Sequence, residues 1–93
     1  MAEALIRRRY VFSGSVQGVG FRWRARHAAA LYGVTGWVRN ELSGTVTMEL
    51  QGGAAAIAAV LEAIERGSYI RVEDVRVRTL PPEPEERGFA VRG

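Results

Sequence analysis

The order of strand-like and helix-like segments constrains the fold of this 93-residue chain more than any other feature. Segments rich in β-branched and aromatic residues flank two segments that consist mainly of good helix formers. From the N-terminus the order is strand, helix, strand, strand, helix and strand, followed by one short strand. This order requires an architecture that combines helices with a sheet.

The strand predictions rest on residue type, alternation and neighbouring turn residues. The predicted strands are residues 7–13, 35–40, 45–51, 70–79 and 89–91, the last at a sheet edge. In the third strand, Val46, Met48 and Leu50 alternate with polar residues, which predicts a hairpin with one buried side. The apolar phase of the fourth strand shifts near Glu73 and Asp74, which predicts a β-bulge or an irregular strand entry there.

Two helices are predicted, over residues 21–32 and 54–66. Apolar residues of the second recur at the spacing of a helix that covers a sheet, namely at Ile57, Val60, Leu61 and Ile64. We therefore predict a single α+β domain, residues 1–93, with the ferredoxin-like βαββαβ fold. Two helices would lie on one face of a four- to five-stranded antiparallel sheet. Many unrelated functions use this fold, so the function depends on particular residues.

Composition excludes several kinds of chemistry. The chain has no cysteine, and all 13 residues counted as lysine or arginine are arginine. A disulfide framework, a cysteine nucleophile, a thiolate zinc site and a lysine Schiff base are therefore impossible. Because His27 and Asp74 are the only residues of their types, we predict no metal site. We interpret His27 as a packing or surface residue of the first helix.

The distribution of charge indicates which partners to expect. Seven arginines oppose Glu3 alone in the first 40 residues, so this half attracts anions. Three of them, residues 7–9, are more typical of a solvated strand edge than of a nucleic-acid patch, and we predict no nucleic-acid partner. The longest apolar run, residues 54–61, is shorter than the roughly 20 residues of a membrane helix, and no secretory signal is apparent. We expect a cytoplasmic monomer without a membrane partner.

The glycine loop, residues 14–20, enters the first helix without a side chain that caps it. Three arginines, Arg22, Arg24 and Arg26, follow in the first turns, where a positive charge opposes the helix macrodipole by about 0.3–1 kcal/mol. A bound anion resolves both conflicts, because loop N–H groups, a helix start and a guanidinium together form a phosphate site. The alternative is an ordinary glycine turn with solvated arginines.

Asn40, the only asparagine, ends the second predicted strand, and taken alone it is typical of a strand end or turn. Two segments, GSVQGVGFR (residues 14–22) and GWVRN (residues 36–40), closely resemble the two signature segments of the acylphosphatase family. The resemblance extends over nearly the whole chain in length and element order, including Gly88 and Phe89. It is therefore more specific than either segment alone.

The resemblance implies hydrolysis of a small-molecule acyl phosphate to a carboxylate and inorganic phosphate, without a cofactor or metal. It assigns the catalytic arginine to Arg22 and the catalytic asparagine to Asn40. The phosphate-binding residues that it implies are Ser15, Val16, Gln17, Gly18, Val19, Gly20 and Arg22. An asparagine does not accept a proton at neutral pH, so we expect Asn40 to orient the attacking water rather than act as a general base.

Three other functions fit the same fold. An RNA-binding module needs stacking aromatic residues on its two central strands, and residues 45–51 contain none. A regulatory domain that only binds a phosphate or a carboxylate would not need Asn40. The related third case is the acylphosphatase-like domain of a larger carbamoyl-transfer maturation enzyme, and the end of the chain at Gly93 leads us to expect a free-standing enzyme instead.

Overall fold

The computed structural model describes residues 4–93, so residues 1–3 of the predicted domain, with the Glu3 of the charge comparison, lie outside the described range. Seven elements follow in the predicted order. They are β1 (Ile6–Ser15), α1 (Phe21–Tyr32), β2 (Thr35–Asn40), β3 (Val46–Gly52), α2 (Ala54–Glu65), β4 (Arg71–Leu80) and β5 (Phe89–Arg92). Two helices pack on a five-stranded sheet, which confirms the predicted α+β, ferredoxin-like fold.

The strands lie in the order β4-β1-β3-β2-β5. β1 pairs antiparallel with both β3 and β4, and β2 pairs antiparallel with β3. β5 instead runs parallel to β2, so the sheet is mixed and the prediction of a wholly antiparallel sheet is wrong for this strand. The reason is the direction of β4, which runs opposite to β2. A chain that leaves β4, turns back and crosses to the other edge must enter β5 parallel to β2.

A β-bulge interrupts the pairing of β1 with β4, where the sequence predicts one. Ser13 pairs with Asp74 and Gly14 pairs with Val72, which leaves Glu73 without a partner in the register. Gly14 has a φ of 121°, and a Cβ on this residue would lie 2.3 Å from the carbonyl oxygen of Arg71. Only glycine fits this close approach of the two strands at the start of the loop.

The main core lies between the sheet and the helices. Phe12 of β1 packs on Phe21 of α1, with ring centroids 4.9 Å apart. Apolar residues of β3 and α2 complete the same buried cluster, among them Val46, Met48, Leu50, Ile57, Val60 and Ile64. This cluster anchors the first turn of α1 directly above the end of β1. At the sheet edge, Val75 and Val77 of β4 remain exposed.

At the centre of the opposite face of the sheet lies a buried cluster of ion-paired side chains. The prediction that β3 has only one buried side is wrong, because Thr47, Glu49 and Gln51 are also buried. Arg7 of β1 is only 2% exposed, so residues 7–9 are not a solvated edge either. β1 is an interior strand, and the segment that follows β4 folds over this face.

Within this cluster, Glu49 binds two guanidinium groups at once. Arg7 Nη2 lies 2.8 Å from Glu49 Oε1, and Arg9 Nε donates to Glu49 Oε2 at 2.8 Å. Arg7 Nη1 also donates to Glu86 Oε1 at 2.7 Å, which holds the segment after β4 in place. Burial by itself would raise the pKa of Glu49, but the hydrogen bonds from Arg9 and Arg7 outweigh it, so the pKa lies below its ordinary value.

Replacement of Arg7 is expected to destabilise the fold strongly. In Arg7→Ala, Glu49 loses one of its two cations in a buried position, which typically costs about 3–5 kcal/mol of unfolding free energy. Urea denaturation at pH 7 measures this loss. Arg66→Ala is the control, because Arg66 pairs with Glu62 on the surface, and there we expect a change of at most about 1 kcal/mol.

The Arg7–Glu49 ion pair also predicts how the stability of the fold depends on pH. Because the folded-state pKa of Glu49 is lowered, its contribution to stability is complete above the unfolded pKa of about 4.3 and disappears as the pH falls through the folded-state pKa. The difference between the wild type and Arg7→Ala should therefore shrink below about pH 4. A difference that stays constant from pH 7 to pH 3 would contradict this assignment.

Candidate active site

The two signature segments meet on the side of the sheet where β1 and β2 end. β1 and β2 both run antiparallel to β3, which lies between them, so their C-terminal ends point the same way. The glycine loop leaves the end of β1, and Asn40 is the last residue of β2. A cavity of about 360 Å³ opens here. It is lined by Val16, Gly18, Gly20, Phe21, Arg22, Trp23, Arg26, Asn40 and Val91.

The glycine loop presents main-chain donors at the start of α1. Gly18 and Gly20 have φ values of 71° and 84°, in the left-handed region that favours glycine. Gly20 is the N-cap residue and makes no side-chain cap, as the sequence predicts. No backbone N–H of residues 16–20 has a protein acceptor within residues 4–93. These donors and the positive end of the helix dipole together favour an anion.

Gln17 holds the loop in position through its side chain. Its Nε2 donates to the carbonyl oxygens of Glu41 and Thr45, at 2.7 and 2.9 Å. Both acceptors belong to the turn between β2 and β3, directly after Asn40. The side chain of Gln17 thus points away from the cavity and fixes the distance between the loop and the strand end.

The predicted site residues divide into two groups. Val16, Gly18, Gly20, Arg22 and Asn40 line the same cavity, whereas Ser15, Gln17 and Val19 do not. Val16 is buried in the core, so its side chain anchors the loop. The sequence prediction omitted Phe21, Trp23, Arg26 and Val91 as lining residues. The spacing of Arg26, four residues after Arg22 and hence on the same helix face, is a signal that could have found it.

Arg22 and Asn40 differ in their hydrogen bonding. Arg22 Nη1 donates to the main-chain oxygen of Gly93 at 2.9 Å, which holds the guanidinium near the cavity. Asn40 Oδ1 is buried and finds no donor among residues 4–93. A buried acceptor without a partner costs about 1–3 kcal/mol, so this oxygen favours a ligand or water that donates to it. The cavity is therefore bordered by main-chain donors and an asparagine oxygen that have no protein partner within residues 4–93, and by two arginines.

Other kinds of site find no support in the described part of the chain. Within residues 4–93, no group of three or more histidine, aspartate or glutamate side chains is placed to hold a metal ion. Neither helix of this range has the length and apolar character that crossing a membrane requires. His27 lies exposed on α1, with its ring 4.2 Å from that of Trp23 between centroids.

Comparison with known proteins finds relatives over most of the chain. The family model described as Acylphosphatase matches residues 8–91. An acylphosphatase of Koribacter versatilis is 37% identical over 94 residues, which cover 100% of this chain and 86% of the relative. An acylphosphatase of Roseiflexus sp. is 45% identical, with 90% and 92% covered. The crystal structure of acylphosphatase from Bacillus subtilis matches with a TM-score of 0.85 and 28% identity, and covers 95% of this chain and 99% of that one.

Loss of the Gln17 side chain is expected to weaken anion binding at the cavity. Gln17→Ala removes both hydrogen bonds to the turn, so the loop must become ordered when it binds an anion. We expect the Kd for inorganic phosphate, measured by titration calorimetry, to rise about tenfold. Ser43→Ala is the control, because the Ser43 hydroxyl forms its hydrogen bond with Thr45 Oγ1 in the same turn and not with the glycine loop. Equal phosphate affinity in wild type and Gln17→Ala would contradict this role.

Proposed function

Because the chain belongs to the acylphosphatase family and is an acylphosphatase enzyme, we propose that its cavity hydrolyses the carboxyl–phosphate bond of acyl phosphates. The products are a carboxylate and inorganic phosphate. The observation that supports the proposal is one cavity at the uncapped start of α1 that both Arg22 and Asn40 line, together with a buried Asn40 Oδ1 that has no donor among residues 4–93. Neither a cofactor nor a metal takes part in the proposed reaction.

The phosphoryl group binds to the glycine loop and Arg22. Free main-chain N–H groups donate hydrogen bonds to its oxygens at the helix start, and the planar guanidinium can bind two of them. Charge on the equatorial oxygens changes during phosphoryl transfer, and donors that are already oriented stabilise it without reorganisation. Arg26, which lines the same cavity, adds a second positive charge to the field. Arg22 thus serves both binding and turnover.

Asn40 positions the attacking water. The free Oδ1 accepts a hydrogen bond from the water and directs its oxygen towards phosphorus, in line with the leaving oxygen. The new bond forms between the water oxygen and phosphorus, and the bond between phosphorus and the acyl oxygen breaks. The acyl group leaves as a carboxylate with the bonding electron pair. A phosphoryl oxygen takes the proton of the water, because Asn40 does not act as a base.

Arg22→Ala is expected to impair both phosphate binding and turnover. Loss of one charged donor to the transferred group typically lowers kcat by about 10²–10³-fold. Benzoyl phosphate hydrolysis gives kcat/KM, and inhibition by inorganic phosphate gives its affinity. Arg66→Ala is the charge-matched control, because that residue does not line the cavity, and both constants should stay unchanged. A variant Arg22→Ala with unchanged phosphate inhibition would contradict the binding role.

Asn40→Ala is expected to separate turnover from binding. The variant loses the acceptor for water but keeps the loop and Arg22, so kcat should fall at least about 10²-fold while phosphate remains a competitive inhibitor of similar affinity. Asn40→Asp tests the alternative that residue 40 acts as a general base. Under the water-positioning role the variant should also lose activity, because its carboxylate would repel the bound phosphate. Near-full activity of Asn40→Ala would exclude the water-positioning role.

Substrate class and metal independence are tested in one assay. The enzyme should hydrolyse benzoyl phosphate at the same rate with and without a chelator, and it should leave an ordinary phosphate monoester intact. Hydrolysis of the monoester, or loss of activity with chelator, would contradict the proposal.

The cytoplasmic location, the monomeric state and the small-molecule partner remain sequence predictions. Cell fractionation and sedimentation test the first two.

A further inference from the structure

A second cavity, of about 510 Å³, adjoins the first on the outer side of α1. Trp23 lines both cavities, and it directly follows Arg22 in the chain. Beyond Trp23 the second cavity is lined by His27, Leu31 and Tyr32 of α1 and by Ala63 of α2. We call it the α1 groove. The two cavities thus lie next to each other along the helix, with Trp23 at their common boundary.

The α1 groove exposes large apolar side chains in an unusual cluster. Trp23 is 63% exposed and Leu31 is 75% exposed, and they lie eight residues apart on one side of the helix. The His27 ring between them meets the Trp23 ring edge to face and supports the indole from one side. Contiguous exposed apolar surface typically marks a binding site. Two helical turns separate Trp23 from Leu31, or about 12 Å, which is enough for a phenyl ring or a short alkyl chain.

We propose that the α1 groove binds the acyl moiety of the substrate and makes the enzyme selective for aromatic and other apolar acyl phosphates over acetyl phosphate. This inference rests on the proposed function, because it assumes a phosphoryl group at the start of α1. Trp23 is the specificity-determining residue, since it is the residue that borders both the phosphate site and the α1 groove. Aromatic rings pack favourably against an indole face or edge.

The geometry of hydrolysis favours this direction for the leaving group. In-line attack places the water and the leaving oxygen on opposite sides of phosphorus. Asn40, which holds the water in the proposed function, lines the first cavity only, whereas Trp23 lines both. An acyl group that extends over Trp23 therefore leaves the water side free. Arg24 Nε donates to the main-chain oxygen of Ala63 at 3.3 Å and fixes the floor of the groove between the helices.

The first experiment compares kcat/KM for benzoyl phosphate and acetyl phosphate. The wild type should favour benzoyl phosphate, and Trp23→Ala should lower the ratio of the two values about tenfold, mainly through KM for benzoyl phosphate. In Leu31→Ala, the ratio of kcat/KM for benzoyl phosphate to that for acetyl phosphate should fall less than in Trp23→Ala. The corresponding ratio for a longer acyl chain, such as that of octanoyl phosphate, should fall more than the ratio for benzoyl phosphate. Tyr69→Ala is the matched control, because Tyr69 is an exposed aromatic residue that lines neither cavity, and its ratio should stay unchanged. An unchanged ratio in Trp23→Ala would overturn the proposal.

The second experiment measures binding without turnover. Benzoylphosphonate and acetylphosphonate are non-hydrolysable probes, and titration calorimetry should give about tenfold tighter binding of the first, lost in Trp23→Ala. Equal affinities in the wild type would overturn the α1 groove even if both acyl phosphates are hydrolysed. If neither is hydrolysed but the difference in affinity depends on Trp23, the groove stands and the proposed function fails. A wild type that sediments as a dimer, with Trp23→Ala a monomer, would show that a second copy covers the groove and would also overturn the proposal.

Discussion

The pairing of β3 with both β1 and β2 is the constraint on which the rest of the structure depends. Because β3 runs antiparallel to each neighbour, β1 and β2 run in the same direction and end on the same side of the sheet. The glycine loop and Asn40 are separated by twenty residues or more, yet this topology brings them to one cavity. The contacts of Gln17 with the β2–β3 turn then fix the spacing between them. The position of the candidate site thus follows from strand order before it follows from any particular side chain.

Unsatisfied groups converge at this edge of the sheet. Within residues 4–93, the loop has main-chain donors without protein acceptors, Asn40 has a buried acceptor without a donor, and two arginines of α1 line the same space. The buried acceptor is costly in the free protein, and a phosphate with a water at Asn40 would offer partners to all of these groups. Local departures from the rules of helix capping and hydrogen bonding are common at functional sites for this reason.

The sequence predicts local features well and tertiary ones less well. The glycine loop, the bulge near Glu73 and the two helices follow from patterns that depend on neighbouring residues, and the structure has them. The burial of Arg7 could not be predicted, because its partners Glu49 and Glu86 are distant in the chain. The parallel direction of β5 depends on a crossover that no local pattern specifies. Trp23 was missed as a lining residue because the sequence does not show that a cavity adjoins this exposed aromatic side chain.

The edge strand β4 has a consequence for how copies of this protein behave at high concentration. Among residues 4–93 its outer edge pairs with no other strand, and Val75 and Val77 on it remain exposed, a combination that favours association of copies through this edge. Arg76 and Arg78 alternate with these valines, and charged side chains on an edge strand disfavour its pairing with a second copy. Dissolved salt screens these charges. Association of copies through this strand is therefore expected to depend on ionic strength.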